Sequence, residues 1–355
     1  LQLDKKWRKF TFSGGTRLEY YRIDTVFTKG KLFSMDTKLP FQPVFRFGAT
    51  YNPLEYTFIR ASYGQGYRFP SIAEKYISTF VGGLNIFPNA NIQPEYGWSA
   101  EIGIKQGFKI KNFQGYLDVS GFLTRYEDMM EFVFGLYDSK GNDLDWYQLI
   151  ALVGGNIDNL TNYFGARSTN VQNANIPGFE VSIVGEGEIT DELGFTTLAG
   201  YTFINPTAIN PDSAYLATFS NPEYKTLKYR NKHMAKIDFQ LDYKKIAFGL
   251  SARYTSFMEN IDGILATDNI IITLPHPTQG PLPLPTNQTI LPGYETYRDA
   301  RKTGDLICDA RLSFGITKSS RLSILMNNVF NREYTNRPGN VMQPRTIICQ
   351  YALKF

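Results

Sequence analysis

Cysteine and histidine are nearly absent: Cys308, Cys349, His233 and His276 are the whole supply in 355 residues. No CxxC pair exists and the two histidines lie far apart, so neither a zinc site nor a disulfide-stapled fold is supported. No Ser/His/Asp set at informative spacing is present either, and an enzyme is not expected. Long apolar runs are missing as well. The longest runs, such as Leu149 to Val153 and Ile270 to Ile272, fall far short of the roughly 20 residues that a membrane helix needs. Charge of one sign is also lacking. With 37 basic and 33 acidic residues spread along the chain, the net charge of +4 offers no clustered basic face for nucleic acid. No signal-peptide pattern is read within the chain, which opens mid-pattern at Leu1 and is expected to be a mature or trimmed chain or a fragment.

Aromatics and glycine are what the chain has in quantity: 23 tyrosines, 27 phenylalanines and 30 glycines. Both suit strands and tight turns, and aromatics also suit the girdles of a membrane barrel. Period-2 alternation follows. In Ile237-Asp238-Phe239-Gln240-Leu241-Asp242-Tyr243 one face is apolar and the other is Asp, Gln, Asp. Phe179, Val181 and Ile183 alternate with Glu180 and Ser182; Leu306, Cys308, Ala310, Leu312 and Phe314 alternate with Asp309, Arg311 and Ser313. Ile347, Cys349, Tyr351, Leu353 and Phe355 share the last outward face.

About twelve strands are predicted, near 9–23, 42–51, 56–67, 96–107, 112–126, 176–189, 194–205, 229–243, 245–256, 302–317, 319–329 and 345–355. Their connections fall into two sizes. Short turns stand at Asn52-Pro53, Gly107 to Lys111, Thr190 to Leu193, Lys244-Lys245 and Lys318-Ser319. Long Pro/Asn/Gly-rich segments occupy about 68–94, 127–175, 206–228 and 257–301, and the proline-rich stretch 271–292 reads as exposed and extended. Short turns at one end and long loops at the other are the pattern of an outer-membrane barrel. The expected fold is therefore all-β, a transmembrane antiparallel β-barrel. A water-soluble sandwich would alternate too, yet would rarely need four loops this long.

Several segments in order resemble the TonB-dependent receptors. Gly64-Gln65-Gly66-Tyr67-Arg68-Phe69-Pro70-Ser71 is similar to that family's Y-R-x-P box. Asn91-Ile92-Gln93-Pro94-Glu95 resembles its N-x-x-P-E box, followed by Glu101-Ile102-Gly103. Ile176-Pro177-Gly178-Phe179-Glu180 resembles a G-x-E strand entry, and Arg230-Asn231-Lys232-His233 an R-x-x-H position. Asn327-Asn328-Val329-Phe330-Asn331-Arg332-Glu333-Tyr334 resembles N-N-L-F-N-K-x-Y, ahead of Pro338-Gly339, Pro344-Arg345 and a last strand ending in Phe355. The series spans residues 56–355.

The resemblance implies an outer-membrane receptor of a Gram-negative bacterium that imports a large, scarce nutrient, above all an iron-siderophore or similar chelate. It implies that residues 1–355 are the C-terminal portion of a barrel of about 22 strands, with a plug domain and the first strands outside this chain. The implied partners are outer-membrane lipid, the plug and remaining strands, a TonB-type energy-coupling protein, and the barrel-assembly machinery acting through Phe355. No cofactor is implied.

Trp98, Tyr96 and Tyr67 read as interfacial girdle residues, and Glu180, Asp238, Gln240, Asp242, Asp309 and Arg311 as lumen-facing. Cys308 and Cys349 face lipid two strands apart, where a bridge is not expected. Ligand-contact candidates come from the loops: Trp146, Tyr147, Tyr163 and Arg167; Tyr215, Phe219 and Tyr224; Tyr294, Tyr297 and Arg298. Aromatic rings and guanidinium groups suit catecholate and other anionic chelates. Residues 71–90, where haem receptors of the family carry a histidine, contain none, which disfavours haem; His276 is a loop residue and His233 reads as structural. The competing reading is a passive diffusion channel, a complete small barrel without a plug, closed between residues 9–23 and 345–355.

Overall fold

Alternation produces one long antiparallel sheet. The computed structural model describes residues 1–20, 41–81, 84–153, 159, 162–211, 213–268, 271–274, 282–285 and 289–354. His276, Phe355 and most of the 275–288 stretch lie outside the described residues. In chain order the strands are β1 (Gln2–Trp7), β2 (Phe10–Glu19), β3 (Gln42–Tyr51), β4 (Thr57–Arg68), β5 (Thr79–Val81) and β6 (Leu84–Phe87). Then come β7 (Glu95–Ile110), β8 (Phe113–Glu127), β9 (Met130–Leu136), β10 (Phe164–Asn170), β11 (Asn173–Thr190) and β12 (Leu193–Ile204). The series continues through β13 (Thr207–Ile209), β14 (His233–Tyr243), β15 (Ile246–Thr255), β16 (Ile271–Leu274) and β17 (Leu282–Pro285). It ends with β18 (Asp305–Gly315), β19 (Ser320–Asn327), β20 (Thr335–Arg337), β21 (Asn340–Val341) and β22 (Thr346–Leu353).

The main sheet runs β1-β2-β3-β4-β7-β8-β11-β12-β14-β15-β18-β19-β22, each strand antiparallel to its neighbours, with β13 added beside β11. All twelve strands expected from alternation lie on this path; β1 is the additional one. Among the described residues β1 pairs only with β2 and β22 only with β19. Among the described residues, no pairing joins β1 or β2 to β22, as closure of a complete small barrel would require.

Turns at one end of the sheet are tight, such as Arg8-Lys9, Lys111-Asn112 and Lys244-Lys245, with Arg8, Lys111 and Lys244 in the left-handed region at φ 52°, 55° and 52°. At the other end the connections are long, and they are not bare loops. They carry the remaining strands and four short helices: α1 (Ile72–Tyr76), α2 (Trp146–Val153), α3 (Ser213–Ala217) and α4 (Tyr294–Asp299). No helix among the described residues is long and apolar enough to cross a membrane.

The two faces differ as the pattern requires. Ile102, Ile237, Leu250, Leu312, Phe314 and Tyr351 stand on one face, all exposed. Cys308 and Cys349 lie on it too, as free thiols. Aromatic rings band this face at two heights. Trp7–Phe10, Phe10–Tyr51, Phe113–Phe195 and Phe195–Phe239 pack near the short turns, at 6.2, 4.5, 5.4 and 6.1 Å between centroids. Tyr63–Trp98, Tyr67–Tyr96, Phe179–Tyr201 and Phe203–His233 pack near the long loops, at 6.0, 6.2, 5.8 and 5.1 Å. From Phe195 to Phe203 on β12 is about 20 Å of height, at roughly 3.3 Å per residue and a tilt near 40°. That is close to the apolar band of a membrane barrel.

The polar face is tied together across strands. Arg60 on β4 lies flat over Gly103 on β7, donating to Glu101 at 2.9 Å and to Asp118 on β8 at 2.8 Å. Arg311 on β18 crosses Gly249 on β15 and grips both carboxylate oxygens of Asp238 on β14 at 2.7 Å. A Cβ at Gly103 would stand 2.8 Å from the Arg60 guanidinium, and one at Gly249 2.3 Å from Arg311 Nε. Each glycine is a pad that lets a long cation reach a carboxylate two strands away. Asp309 accepts from Arg253 at 3.2 Å, Glu180 from Thr202 at 3.3 Å, and Gln240 donates to Asp242 at 3.0 Å.

Candidate functional site: a joined rim of outer loops

The long-loop end is a built structure. In the 69–94 segment, Ser71 and Glu74 cap α1 reciprocally, and Glu74 pairs with Arg68. Lys75, 6% exposed, donates to the carbonyls of Ala90 and Ile92 at 3.1 and 2.9 Å and so folds the segment back on itself. β5, β6, β10 and β9 form a second sheet, with β6 and β10 parallel. That sheet joins the 69–94 loop to the 128–172 loop. Asn89 donates to the Ser168 carbonyl at 2.9 Å, and the Gln93 N–H donates to Asn170 at 2.7 Å. Glu95 accepts from the Met130 N–H at 2.7 Å. Gln93 and Glu95 of the Asn91–Glu95 box thus fasten these loops to each other, while Arg68 and Ser71 of the Tyr67–Ser71 box hold α1 through Glu74.

The 128–172, 205–232 and 256–304 loops meet at a buried joint. Met129, Ala174, Ala208, Tyr215, Phe219 and Leu227 form its apolar part. Lys228, fully buried, places its ammonium 2.6 Å from Asp262 and 3.8 Å from Glu131, above the rings of Tyr215 and Phe219. Tyr215 donates to Glu131 at 2.6 Å, and Tyr229 donates to Asp262. Asn260, also fully buried, donates to the carbonyls of Tyr224 and Thr226 at 3.0 Å and accepts from the Asn221 N–H at 2.9 Å. Its ion pairs join three loops, with Glu131 from 128–172, Lys228 from 205–232 and Asp262 from 256–304. Beyond it, Asn328 at φ 51° holds the 328–345 loop through bonds to the Arg332 and Gln343 carbonyls, while Arg332 donates to Asp305 at 2.7 Å.

Burial pushes the Glu131 carboxyl up, and the opposing influence of Lys228 and the Tyr215 hydrogen bond does not cancel it. A group whose pKa is raised by folding contributes stability at low pH and loses it as pH rises through the folded value. Asp262 pushes the Glu131 carboxyl in the same direction as burial, and Arg230 acts against both. The joint should therefore be tighter at pH 5 than at pH 8. Hydrogen exchange of residues 130–136 and 215–229, corrected for intrinsic rates, should show it. Glu131→Gln keeps an acceptor for Tyr215 and should flatten the profile. An unchanged slope in that variant would remove Glu131 as its source.

The ten loop residues singled out from the sequence divide by placement. Arg167 lies 4.4 Å over the Tyr137 ring and donates to the Gly141 carbonyl at 2.6 Å and to Asp143 at 3.1 Å. Burial pushes the Tyr137 hydroxyl up to about 12. Tyr215 and Phe219 pack edge to face at 4.9 Å inside the joint. Arg298 stacks 4.3 Å over Phe257 and donates to the Glu259 carbonyl at 2.9 Å. These four side chains are engaged in holding the rim. Tyr163 is half-buried and its carbonyl accepts from the Tyr137 N–H at 2.8 Å. Trp146 opens α2, Tyr147 beside it is exposed, and Tyr224 is exposed in the next loop. Tyr294 and Tyr297 stack at 5.6 Å on α4. Glu131, Lys228, Asn260 and Asp262 were not singled out. Their signal was a polar residue beside a bulky apolar one, as in Leu227-Lys228 and Ile261-Asp262.

Comparison with known proteins agrees with this architecture. A family profile described as "TonB dependent receptor-like, beta-barrel" matches residues 1–329. The Haemophilus influenzae hemoglobin and hemoglobin-haptoglobin-binding protein A is 28% identical over 193 residues, covering 51% of this chain and 16% of that protein. The ferric-catecholate import receptor Fiu of E. coli K12 superposes with a TM-score of 0.58 at 17% identity, covering 98% of this chain and 43% of that one. Pseudomonas aeruginosa FpvA, bound to a ferric pyoverdine, gives 0.58 at 15%, covering 100% and 38%. The chain spans less than half the length of each of these proteins. At such identities the two structural likenesses are likenesses of fold.

Proposed function

The chain belongs to the TonB-dependent receptor family, and we propose that it supplies the wall and the outer, ligand-facing rim of an energy-coupled importer for a large iron chelate of the siderophore type. The family is one of outer-membrane receptors and transporters, which places the aromatic-banded face in lipid and the long loops outside the cell. The observation that carries the proposal is the rim itself. Four loops are fastened to one another by a shared sheet and a buried charged joint, and the same loops carry exposed Tyr147 and Tyr224 and the stacked Tyr294–Tyr297 pair. A diffusion pore needs no such ordered entrance, whereas a receptor gains affinity when its contact surface is organised before the ligand arrives. The open edges of β1 and β22 support the further reading that additional strands and a plug complete the structure, since unpaired backbone in hydrocarbon costs several kcal/mol per group. A TonB-type protein would then supply the energy.

The test is binding and uptake by the receptor purified from, or expressed in, outer membranes. A ferric catecholate should bind at sub-micromolar concentration and enter only when the energy-coupling protein is present. Uptake that persists without it would sink the proposal in favour of a passive channel. A second reading is favoured by one finding: the Haemophilus influenzae relative binds hemoglobin and hemoglobin-haptoglobin. The same assay with hemoglobin in place of the chelate separates the two cargoes.

A further inference from the structure

The first turn carries a concentration of charge that neither the wall nor the rim uses. Lys5, Lys6, Arg8 and Lys9 flank Trp7, four cations in five residues. Alternation sends Lys6 inward with Asp4 and Gln2, and sends Lys5 outward with Leu3 and Trp7. Arg8 and Lys9 form the turn itself. The Arg8 guanidinium lies 5.7 Å from the Trp7 ring, and Lys9 donates to the Pro53 carbonyl at 2.6 Å. Among the described residues, the ion pairs do not include Lys5, Arg8 or Lys9. The carboxylates beside this turn are Asp4, which accepts from Gln2, and Glu55 in the adjacent 52–56 turn, engaged with Tyr56.

Immediately above these cations the lipid-facing surface is hollowed. Gly14, Ala49 and Ala61 make a floor of small residues across β2, β3 and β4, and Phe12, Phe47 and Tyr63 stand around it. The hollow is shallow and open, with a volume of about 580 Å³, and Lys5 is among the residues that line it. Trp7, Phe10 and Tyr51 mark the interface at the short-turn end, which faces the inner leaflet. Lys5 sits two residues into the bilayer from Trp7, within reach of the interface along its own stem.

We infer that this place is a binding site for an anionic phospholipid of the inner leaflet, its headgroup phosphate on Lys5, Arg8 and Lys9 and one acyl chain in the hollow. Cations without a carboxylate partner among the described residues, at the height of the headgroups and continuous with an apolar groove on a face already covered by lipid, match that molecule in charge and in shape. The inference depends on which face meets lipid and not on the cargo, so it stands or falls separately from the import proposal.

Native mass spectrometry of the intact receptor, released from mixed micelles of phosphatidylglycerol and phosphatidylethanolamine in equal amounts, tests it. Phosphatidylglycerol should be retained preferentially. Lys5→Gln should lower that retention about five-fold, Lys5→Gln with Arg8→Gln correspondingly more, and added salt should mimic both. Lys318→Gln, in another turn of the same end, should change nothing. Ala49→Leu fills the floor and should lower retention with the cations intact, which keeps the test open if a charge variant assembles poorly. Equal retention of the two lipids, or Lys5→Gln and Ala49→Leu both at the wild-type level, overturns the site. So does a dimeric receptor in which a second copy, and no lipid, protects the turn.

Discussion

Lys228→Met should loosen three outer loops together while leaving the barrel wall intact. Replacing the ammonium leaves Asp262, almost wholly buried, and Glu131 facing each other without a cation. Breaking a buried ion pair by removing one partner costs about 3–5 kcal/mol, most of it from stranding the other charge. The joint is local, so the loss should appear as sub-global opening. Exchange at residues 129–136, 215–229 and 259–265 should rise by two to three orders of magnitude, on the order of that energy. Exchange in β11 and β12 should not move. Protease cutting in the same loops gives an independent readout. A combined Lys228→Met, Asp262→Asn, Glu131→Gln variant, in which no charge is stranded, should recover most of the protection. If Lys228→Met alone exchanges like the wild type, the loops are held by their apolar contacts and the charges are incidental. If the triple variant is as open as the single one, the methionine does not fit and the charge argument fails for a steric reason.

That joint also marks where sequence reading stopped. Ile237, Phe239, Leu241 and Tyr243 announce β14 because a strand's faces are written at period 2 in its own residues. The same holds for β18 and β22, so the main sheet was legible almost strand by strand. β1 was not, since Gln2–Trp7 is short and its Lys5-Lys6 doublet obscures the alternation. The rim was harder. Phe132-Val133-Phe134 carries no period to speak of, and its partners in β10 lie more than 30 residues away. Glu131, Lys228 and Asp262 belong to three loops whose meeting follows from the strand order of the sheet beneath them, and no local pattern records it. Arg167, Tyr215, Phe219 and Arg298 drew notice as rings and guanidinium groups of the type that grips a chelate. Composition could not say that each is engaged with a partner elsewhere in the chain. What the loops leave exposed, Tyr147 and Tyr224 above all, is correspondingly the better place to look for ligand contact.

Glycine gives the sharpest contrast among single substitutions in the wall. Gly115→Val should abolish assembly, with folded receptor in outer membranes falling at least ten-fold. A Cβ there would stand 2.1 Å from the Val184 carbonyl oxygen and 2.7 Å from Gly185 Cα, both backbone of the paired strand β11. Backbone cannot swing aside as a side chain does. The β8–β11 ladder, which runs from Ala174–Tyr126 to Gly187–Phe113, would have to part near its lower end. Each N–H or carbonyl so released into hydrocarbon costs several kcal/mol, more than the margin by which most proteins are stable. Gly249→Ala should behave differently. The three atoms nearest its Cβ all belong to the Arg311 side chain and none to backbone, so the wall should assemble while the Arg311–Asp238 grip is displaced. Gly66→Ala, with nothing within 4 Å of the new atom, should assemble like the wild type. Heat-modifiable migration of the three variants, measured at matched expression, orders them directly. If Gly115→Val assembles as well as Gly66→Ala, the close approach of β8 and β11 is not a fixed feature of the wall, and the abundance of glycine in this chain needs another explanation.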